Sequence, residues 1–222
     1  MYAPAVGGAK GGANQLQITP TVPIFPGWIP FTGIVQLTLP VAVTTPGPDR
    51  VTAFGDVQIA GGALVTQSWG RWAAGATAVL PTASDRATGA GKWQAGPALG
   101  LAYSGLPGCS FGGIAENPIS FGGGGHRQAV DELTLQPTAT YTSDSGWFAG
   151  LADFQLTFDW HNHAVTVPVG AQVGRLVHFG SVPVSLSLEL GYAVVRPDGP
   201  SPRWLFGFEV TPVVESLRLG NP

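Results

Sequence analysis

Charged residues are scarce in this chain of 222 residues. Asp, Glu, Lys and Arg together make up 10% of it, against about 25% in a typical soluble domain, and the mean hydropathy is +0.22. Lysine, which often protects the exposed edges of soluble sheets, occurs only at Lys10 and Lys92. This composition does not favour an ordinary water-exposed surface.

Other absences narrow the classes of function. Cys109 is the only cysteine, so the chain forms neither an internal disulfide nor a multi-cysteine metal site. A net charge of -3 without a basic stripe offers no electrostatic footprint for nucleic acid. No apolar run reaches about 18 residues, which excludes a transmembrane helix but not a transmembrane β-barrel. The first ten residues lack the features of a signal peptide, and we expect that such a signal was removed.

Glycine and proline are abundant, with 33 and 20 residues. Both interrupt helix interiors, and here they separate short runs in which apolar and polar residues alternate. In residues 182–199, for example, Leu188 and Leu190 alternate with Ser187 and Glu189. Because successive side chains of a strand point to opposite faces, each run predicts a two-faced strand.

The alternation recurs in eleven segments, at 15–25, 31–41, 57–66, 71–80, 92–104, 110–121, 132–141, 148–160, 165–173, 182–195 and 204–211. We predict an all-β fold in which residues 1–222 form one domain, a closed antiparallel transmembrane β-barrel with short turns. About twelve strands are expected because outer-membrane barrels favour even numbers. Residues 1–13 would supply the twelfth as a weakly structured or degenerate first strand.

The two faces of these strands differ in chemistry. One face is apolar and suited to lipid, and the other carries Ser, Thr, Gln, Gly and Ala with scattered carboxylates, suited to a wet lumen of small residues. On this pattern the outer face includes Val184, Leu186, Leu188, Leu190, Tyr192 and Val194 of one segment, and Phe148, Phe154, Leu156, Phe158 and Trp160 of another.

The charged residues predicted to line the lumen are Asp56, Arg71, Glu132, Asp153, Glu189 and Glu209. Rings of carboxylates bias a pore toward cations, so the mildly acidic lining predicts a weak cation preference. The alternative is that these carboxylates pair with Arg71 or with water and brace a closed interior.

Tryptophans lie near the predicted strand ends, where amphipathic rings sit at membrane interfaces. They are Trp28, Trp69, Trp93, Trp147, Trp160 and Trp204. The alternative is that these rings fill the core of a soluble protein.

One stretch, LPTASDRATGAGKWQAGPALGLAY at residues 80–103, contains a Pro-Thr-Ala block, a Gly-x-Gly-Lys-Trp turn and a Gly-Pro before the next strand. It resembles a Gram-negative outer-membrane family of transporters, the MetA-pathway of phenol degradation type, through Pro81, Thr82, Ala83, Gly89, Gly91, Lys92, Trp93, Gly96 and Pro97. Further matches lie at 16–25, 133–141, 158–177 and 196–212. The resemblance implies a β-barrel that passes small aromatic or hydrophobic molecules.

Signals for chemistry are weak. The segment DWHNH places Asp159, His161 and His163 on one face at a strand end, and imidazole with carboxylate suits zinc or copper; the alternative is a solvated turn. No G-x-S-x-G motif occurs, and we predict neither catalysis nor a cofactor.

These patterns predict a passive channel or transporter for small solutes in a bacterial outer membrane. Its partners would be the lipid bilayer and a small-molecule solute, with no nucleic acid, and the sequence leaves the oligomeric state open. The alternatives are a structural or surface β-protein without transport, and an outer-membrane lipid-modifying enzyme.

Overall fold

The computed structural model of this protein describes residues 13–24, 32–45, 49–180, 182–197 and 203–212. These residues form fifteen strand segments joined in one antiparallel sheet. The predicted all-β antiparallel class is therefore confirmed. No helix in the described part of the chain could span a membrane.

The strands are β1 (Asn14–Ile18), β2 (Thr21–Ile24), β3 (Thr32–Thr44), β4 (Thr52–Ala53), β5 (Val57–Gln67), β6 (Gly70–Leu80), β7 (Lys92–Leu106), β8 (Cys109–Glu116), β9 (Ile119–Gly123), β10 (Glu132–Thr142), β11 (Trp147–Leu151), β12 (Leu156–Asp159), β13 (Ala164–Phe179), β14 (Val182–Val195) and β15 (Trp204–Pro212).

Strands that follow one another along the chain are also neighbours in the sheet, so the topology is a meander. Its main path has eleven positions within the described residues, in the order β1-β3-β5-β6-β7-β8-β10-β11-β13-β14-β15. The short segments β2, β4, β9 and β12 pair with strands of this path. The twelfth strand predicted in residues 1–13 falls almost wholly outside the described residues.

The meander places the connections at two opposite ends of the sheet. At the first end, which we name the loop end, lie residues 81–91, 124–131 and 160–163. At the second, the turn end, strands are joined by two to four residues, at 68–69, 107–108 and 143–146. Gly108 and Gly146 in these tight turns have φ of 70° and 80°, a region that side chains with a Cβ disfavour.

Strand β14 illustrates how the two faces of the sheet are used. Ser187 and Glu189 are 5% and 4% exposed, whereas the alternating Leu188 and Leu190 are 61% and 49% exposed. The polar face is thus buried and the apolar face exposed, the reverse of a soluble sheet with one packed face. Val184 departs from this pattern at 7% exposure; its cross-strand partners are Val177 and Pro212.

The prediction of one uninterrupted strand over residues 148–160 is wrong at its centre. Leu151 pairs with Ala171 on β13, but Thr157 pairs with Thr166, so residues 152–156 contain one more residue than the facing stretch of β13. An extra residue reverses the side to which the following side chains point.

Two aromatic residues that were predicted on the outer face precede this reversal and point to the opposite face from the residues that follow it. Phe148 instead lies against Gly174, directly across from it on β13. Phe154 is only 9% exposed and its ring lies against Gly170 and Gly191. A Cβ at Gly170 would stand 2.9 Å from the ring, and a Cβ at Gly191 would overlap it.

We expect Gly191→Ala to lower the free energy of unfolding by about 1–3 kcal/mol, the usual cost of overpacking a closely packed site. Urea unfolding of the purified chain measures this change. Gly125→Ala is the control, because no atom lies within 4 Å of a Cβ at that position. Equal stability of the two variants would show that the Phe154 ring does not need the space at Gly191.

Candidate functional site

The buried face of the sheet surrounds a cavity of about 690 Å³. Residues from both edges of the sheet line it, including Gln15 and Gln17 on β1 and Glu209 on β15. The sheet is therefore curled so far that its first and last described strands stand at one cavity. A volume of this size is within the range of about 300–1,000 Å³ that is common for small-molecule pockets.

The cavity wall is rich in side-chain amides. Glutamine side chains both donate and accept hydrogen bonds, and seven of them line the cavity, namely Gln15, Gln17, Gln36, Gln58, Gln94, Gln136 and Gln155. This described wall is bulkier than the lining of small residues that the sequence suggested. Its amides are suited to polar contacts with water or with a solute.

One hydrogen-bonded group connects three strands across the wall. The Nε2 of Gln58 donates to Thr77 Oγ1 at 3.0 Å and to Glu116 Oε2 at 2.7 Å. Thr77 and Glu116 are both buried, and a buried carboxylate needs such a partner. Sequence reasoning missed Glu116, because the alternation is irregular around residues 110–121.

The six charged residues predicted at the lumen occupy three kinds of position. Asp56, Glu132, Asp153 and Glu209 line the cavity, and Glu189 is buried beside Asp153 and Glu209. Arg71 is exposed next to the turn at 68–69 and is not part of the cavity wall. The wall is therefore acidic, and Arg71 does not stand among its carboxylates.

Asp56 holds the loop of residues 81–91 at the mouth of the cavity. Its Oδ1 accepts a hydrogen bond from the Ala83 amide at 2.9 Å, and its Oδ2 accepts bonds from Ala90 at 2.7 Å and Gly91 at 3.3 Å. Thr88 of the same loop is buried and donates to the Phe54 carbonyl at 2.8 Å. Residues of the sequence motif at 80–103 thus form a rim that is held to the start of β5 by the Asp56 carboxylate and by further hydrogen bonds.

A second set of contacts joins this loop to its neighbours at the loop end. The Nη1 of Arg127 donates to the carbonyls of Arg86 at 2.7 Å and Gly89 at 3.3 Å. Gln128 in turn donates to the side chain of Asn162. These hydrogen bonds connect the loops of the rim to one another. A cavity of about 230 Å³ lies between the loops.

The predicted metal ligands Asp159, His161 and His163 do not converge. Both histidines are exposed in the turn at 160–163, and Asp159 accepts hydrogen bonds from the backbone and side chain of Asn162 at 2.9 and 2.6 Å.

A different group of potential ligands does converge. Among the described residues, ligand atoms of Asp153, Glu189 and Glu209 all lie within 4.8 Å of one another. The sequence pattern placed each of these carboxylates inside, but their proximity depends on strands that are distant along the chain. No sequence signal indicated that they form one cluster.

The predicted interface tryptophans that the structure describes are exposed and lie at both ends of the sheet. Those at the turn end are Trp69 and Trp147, and those at the loop end are Trp93, Trp160 and Trp204. Trp28 lies outside the described residues. None of the five fills a core, which disagrees with the soluble-core alternative.

Several of these rings contact another side chain. Trp69 stacks on Tyr103 with ring centroids 6.4 Å apart, and Trp204 meets Tyr192 edge to face at 5.0 Å. The guanidinium of Arg175 lies 5.3 Å from the Trp147 ring centroid, a favourable cation–π distance.

No protein-family model, no curated protein and no solved structure matches this chain. The resemblance to outer-membrane transporters therefore stays a prediction from the motifs.

We expect Asp56→Asn to loosen the loop at 81–91, because the side-chain amide nitrogen of asparagine cannot accept the bonds that Ala90 and Gly91 donate. Trypsin should then cleave after the exposed Arg86 several times faster, as followed by mass spectrometry of the folded protein. Asp144→Asn, in the exposed turn at 143–146, should leave the cleavage rate unchanged. An unaltered rate in Asp56→Asn would contradict the role assigned to this carboxylate.

Proposed function

We propose that this chain is a closed β-barrel of a bacterial outer membrane and acts as a passive channel for small solutes. The observation that carries the proposal is the inverted distribution of side chains. Polar and acidic groups are buried around a cavity, while large apolar side chains are exposed on the other face. Lipid outside and water inside would satisfy both faces.

The exposed apolar face is continuous across neighbouring strands. Val173, Leu188 and Phe208 are direct cross-strand partners on β13, β14 and β15, and each is about half exposed or more. Burial of one such side chain is worth about 1.5–3 kcal/mol, so leaving the whole face in water would be costly. Contiguous apolar surface of this kind marks a membrane or a partner.

The spacing of the aromatic residues supports a membrane. Trp147 and Trp160 are exposed at opposite ends of the strand formed by β11 and β12. A dozen residues at about 3.3 Å each span roughly 40 Å along a strand, and a tilt of about 40° reduces this to roughly 30 Å. The apolar band of outer-membrane barrels is about 25 Å tall between its aromatic girdles.

The hydrogen-bonding needs of the backbone favour closure of the sheet into a barrel. An edge strand in hydrocarbon would leave backbone groups unpaired, at a cost of several kcal/mol for each group. Gln15 on β1 and Glu209 on β15 line the same cavity, which brings the two edges of the described sheet to one site. We infer that the barrel closes along this line.

Transport is proposed because the interior is polar and contains space. Its amide and carboxylate groups would replace water around a small polar solute, and the acidic lining would favour cations. Outer-membrane barrels have longer loops on the extracellular side, and we assign the connected loops at the loop end to that side because they are longer than the connections at the turn end. We therefore expect these loops to narrow the outer entrance.

Leu188→Arg tests the membrane. At the middle of a lipid-facing strand an arginine should cost about 2–4 kcal/mol of folding free energy, measured by urea-dependent folding into lipid vesicles. Leu106→Arg is the control, because Leu106 is 51% exposed but ends β7 at the turn end. At a site exposed to water, such a substitution changes the folding free energy by no more than about 0.5 kcal/mol. A cost that small at Leu188 would contradict the proposal that this face lies in a bilayer.

Planar-bilayer recording tests the channel. The purified protein should conduct, and in a potassium chloride gradient with chelator its reversal potential should have the sign of cation preference. Glu132→Gln removes a carboxylate from the wall and should shift that potential toward zero, whereas Asp144→Asn should not. A folded protein that inserts without conducting would be a structural barrel, and anion preference would contradict the acidic lining.

A further inference from the structure

We propose that Asp153, Glu189 and Glu209 bind one divalent cation inside the sheet, with calcium preferred. Ligand atoms of the three carboxylates lie within 4.8 Å of one another. Two oxygens on opposite sides of a calcium ion, each at about 2.4 Å, have that separation. This site requires only the fold, and it does not depend on the proposed channel.

Three parts of the chain build the site. Glu189 on β14 stands directly opposite Gly207 on β15, and Glu209 follows two residues later on the same face. Asp153 comes from the interruption between β11 and β12, where the extra residue turns the chain inward. Gly207 makes room for the Glu189 carboxylate, since a Cβ there would stand 2.5 Å from Oε2.

Glu189 is the residue that indicates a ligand. It is almost fully buried, and in the part of the chain that the structure describes neither of its carboxylate oxygens has a hydrogen bond of ordinary geometry. The backbone of Asp153 interacts with this carboxylate, but outside the geometry of an ordinary hydrogen bond. By contrast, Asp56 accepts hydrogen bonds from three backbone amides. Glu116 accepts one from the Gln58 side chain.

No charged group among the described residues neutralises the cluster. From the described residues, the charged groups that act on Asp153 and Glu189 are one another and Glu209. Three carboxylates so close together repel one another strongly when ionised. A divalent cation would turn this repulsion into attraction and would supply the partner that Glu189 lacks.

The donor set selects the kind of cation. All three ligands are carboxylates, without histidine or cysteine, which disfavours zinc and copper and favours a hard cation. Calcium accepts six to eight oxygens in flexible geometry, whereas magnesium demands a tighter octahedron. Bidentate carboxylates and water from the adjoining cavity could complete a calcium shell.

Calorimetric titration of calcium into the full, folded, chelator-treated protein in detergent tests the site. We expect one saturable site, and Glu189→Gln should weaken it at least tenfold, since loss of even an outer partner of a metal ligand costs about 10- to 100-fold. Glu116→Gln, another buried carboxylate of the interior, should bind calcium as the unmodified protein does. Absence of saturable binding, or equal binding by Glu189→Gln, would overturn the proposal.

Thermal unfolding gives a second readout. In chelator, Glu189→Gln should melt at a higher temperature than the unmodified protein because it removes repulsion, and in calcium it should melt at a lower temperature. If acid stabilises the unmodified protein but calcium does not, the cluster shares a proton and the cation site is wrong.

Tighter binding of magnesium would overturn the preference for calcium. Calcium binding without conductance would overturn the channel alone.

Discussion

The rest of this structure depends on a polar interior that must satisfy its own hydrogen bonds. The buried hydrophobic side chains among the described residues are few, namely Ala152, Phe154, Val184 and Ala193. Gln172, which is also buried, donates to the Leu151 carbonyl at 2.7 Å. Stability then comes from the backbone ladder and from contacts such as this one, because an unpaired buried polar group is expensive. In the proposed bilayer, the apolar contribution would come from the outside of the sheet.

The alternating pattern predicted most of the fold because it has a direct physical cause. A strand with a wet face and an apolar face repeats every two residues, and in β14 the exposed Leu188 and buried Glu189 follow that rule. Turns were predictable from glycine for a similar reason, since few other residues adopt the backbone angles of Gly108 and Gly146.

The parts that the sequence did not predict depend on single residues or on long-range contacts. One additional residue between β11 and β12 breaks the alternation from which Phe154 was predicted on the outer face, and nothing in the composition of that segment signals it. Glu116 was missed where the alternation is irregular, and the cluster of Asp153, Glu189 and Glu209 requires knowledge of register. Arg71 has the inward parity but stands at the end of its strand, where parity no longer implies burial.

The main path of the described meander has an odd number of strand positions, and this number determines how its first and last strands would pair if the sheet closed. Neighbouring strands of a meander run in opposite directions, so the first and the eleventh, β1 and β15, run in the same direction. A sheet of eleven strands that closes on itself must therefore join through a parallel pair, whose slanted hydrogen bonds are slightly weaker than those of the antiparallel pairs. In such a barrel the junction of β1 with β15 would be weaker for its length than the antiparallel junctions, which makes it a place where the wall would separate under load.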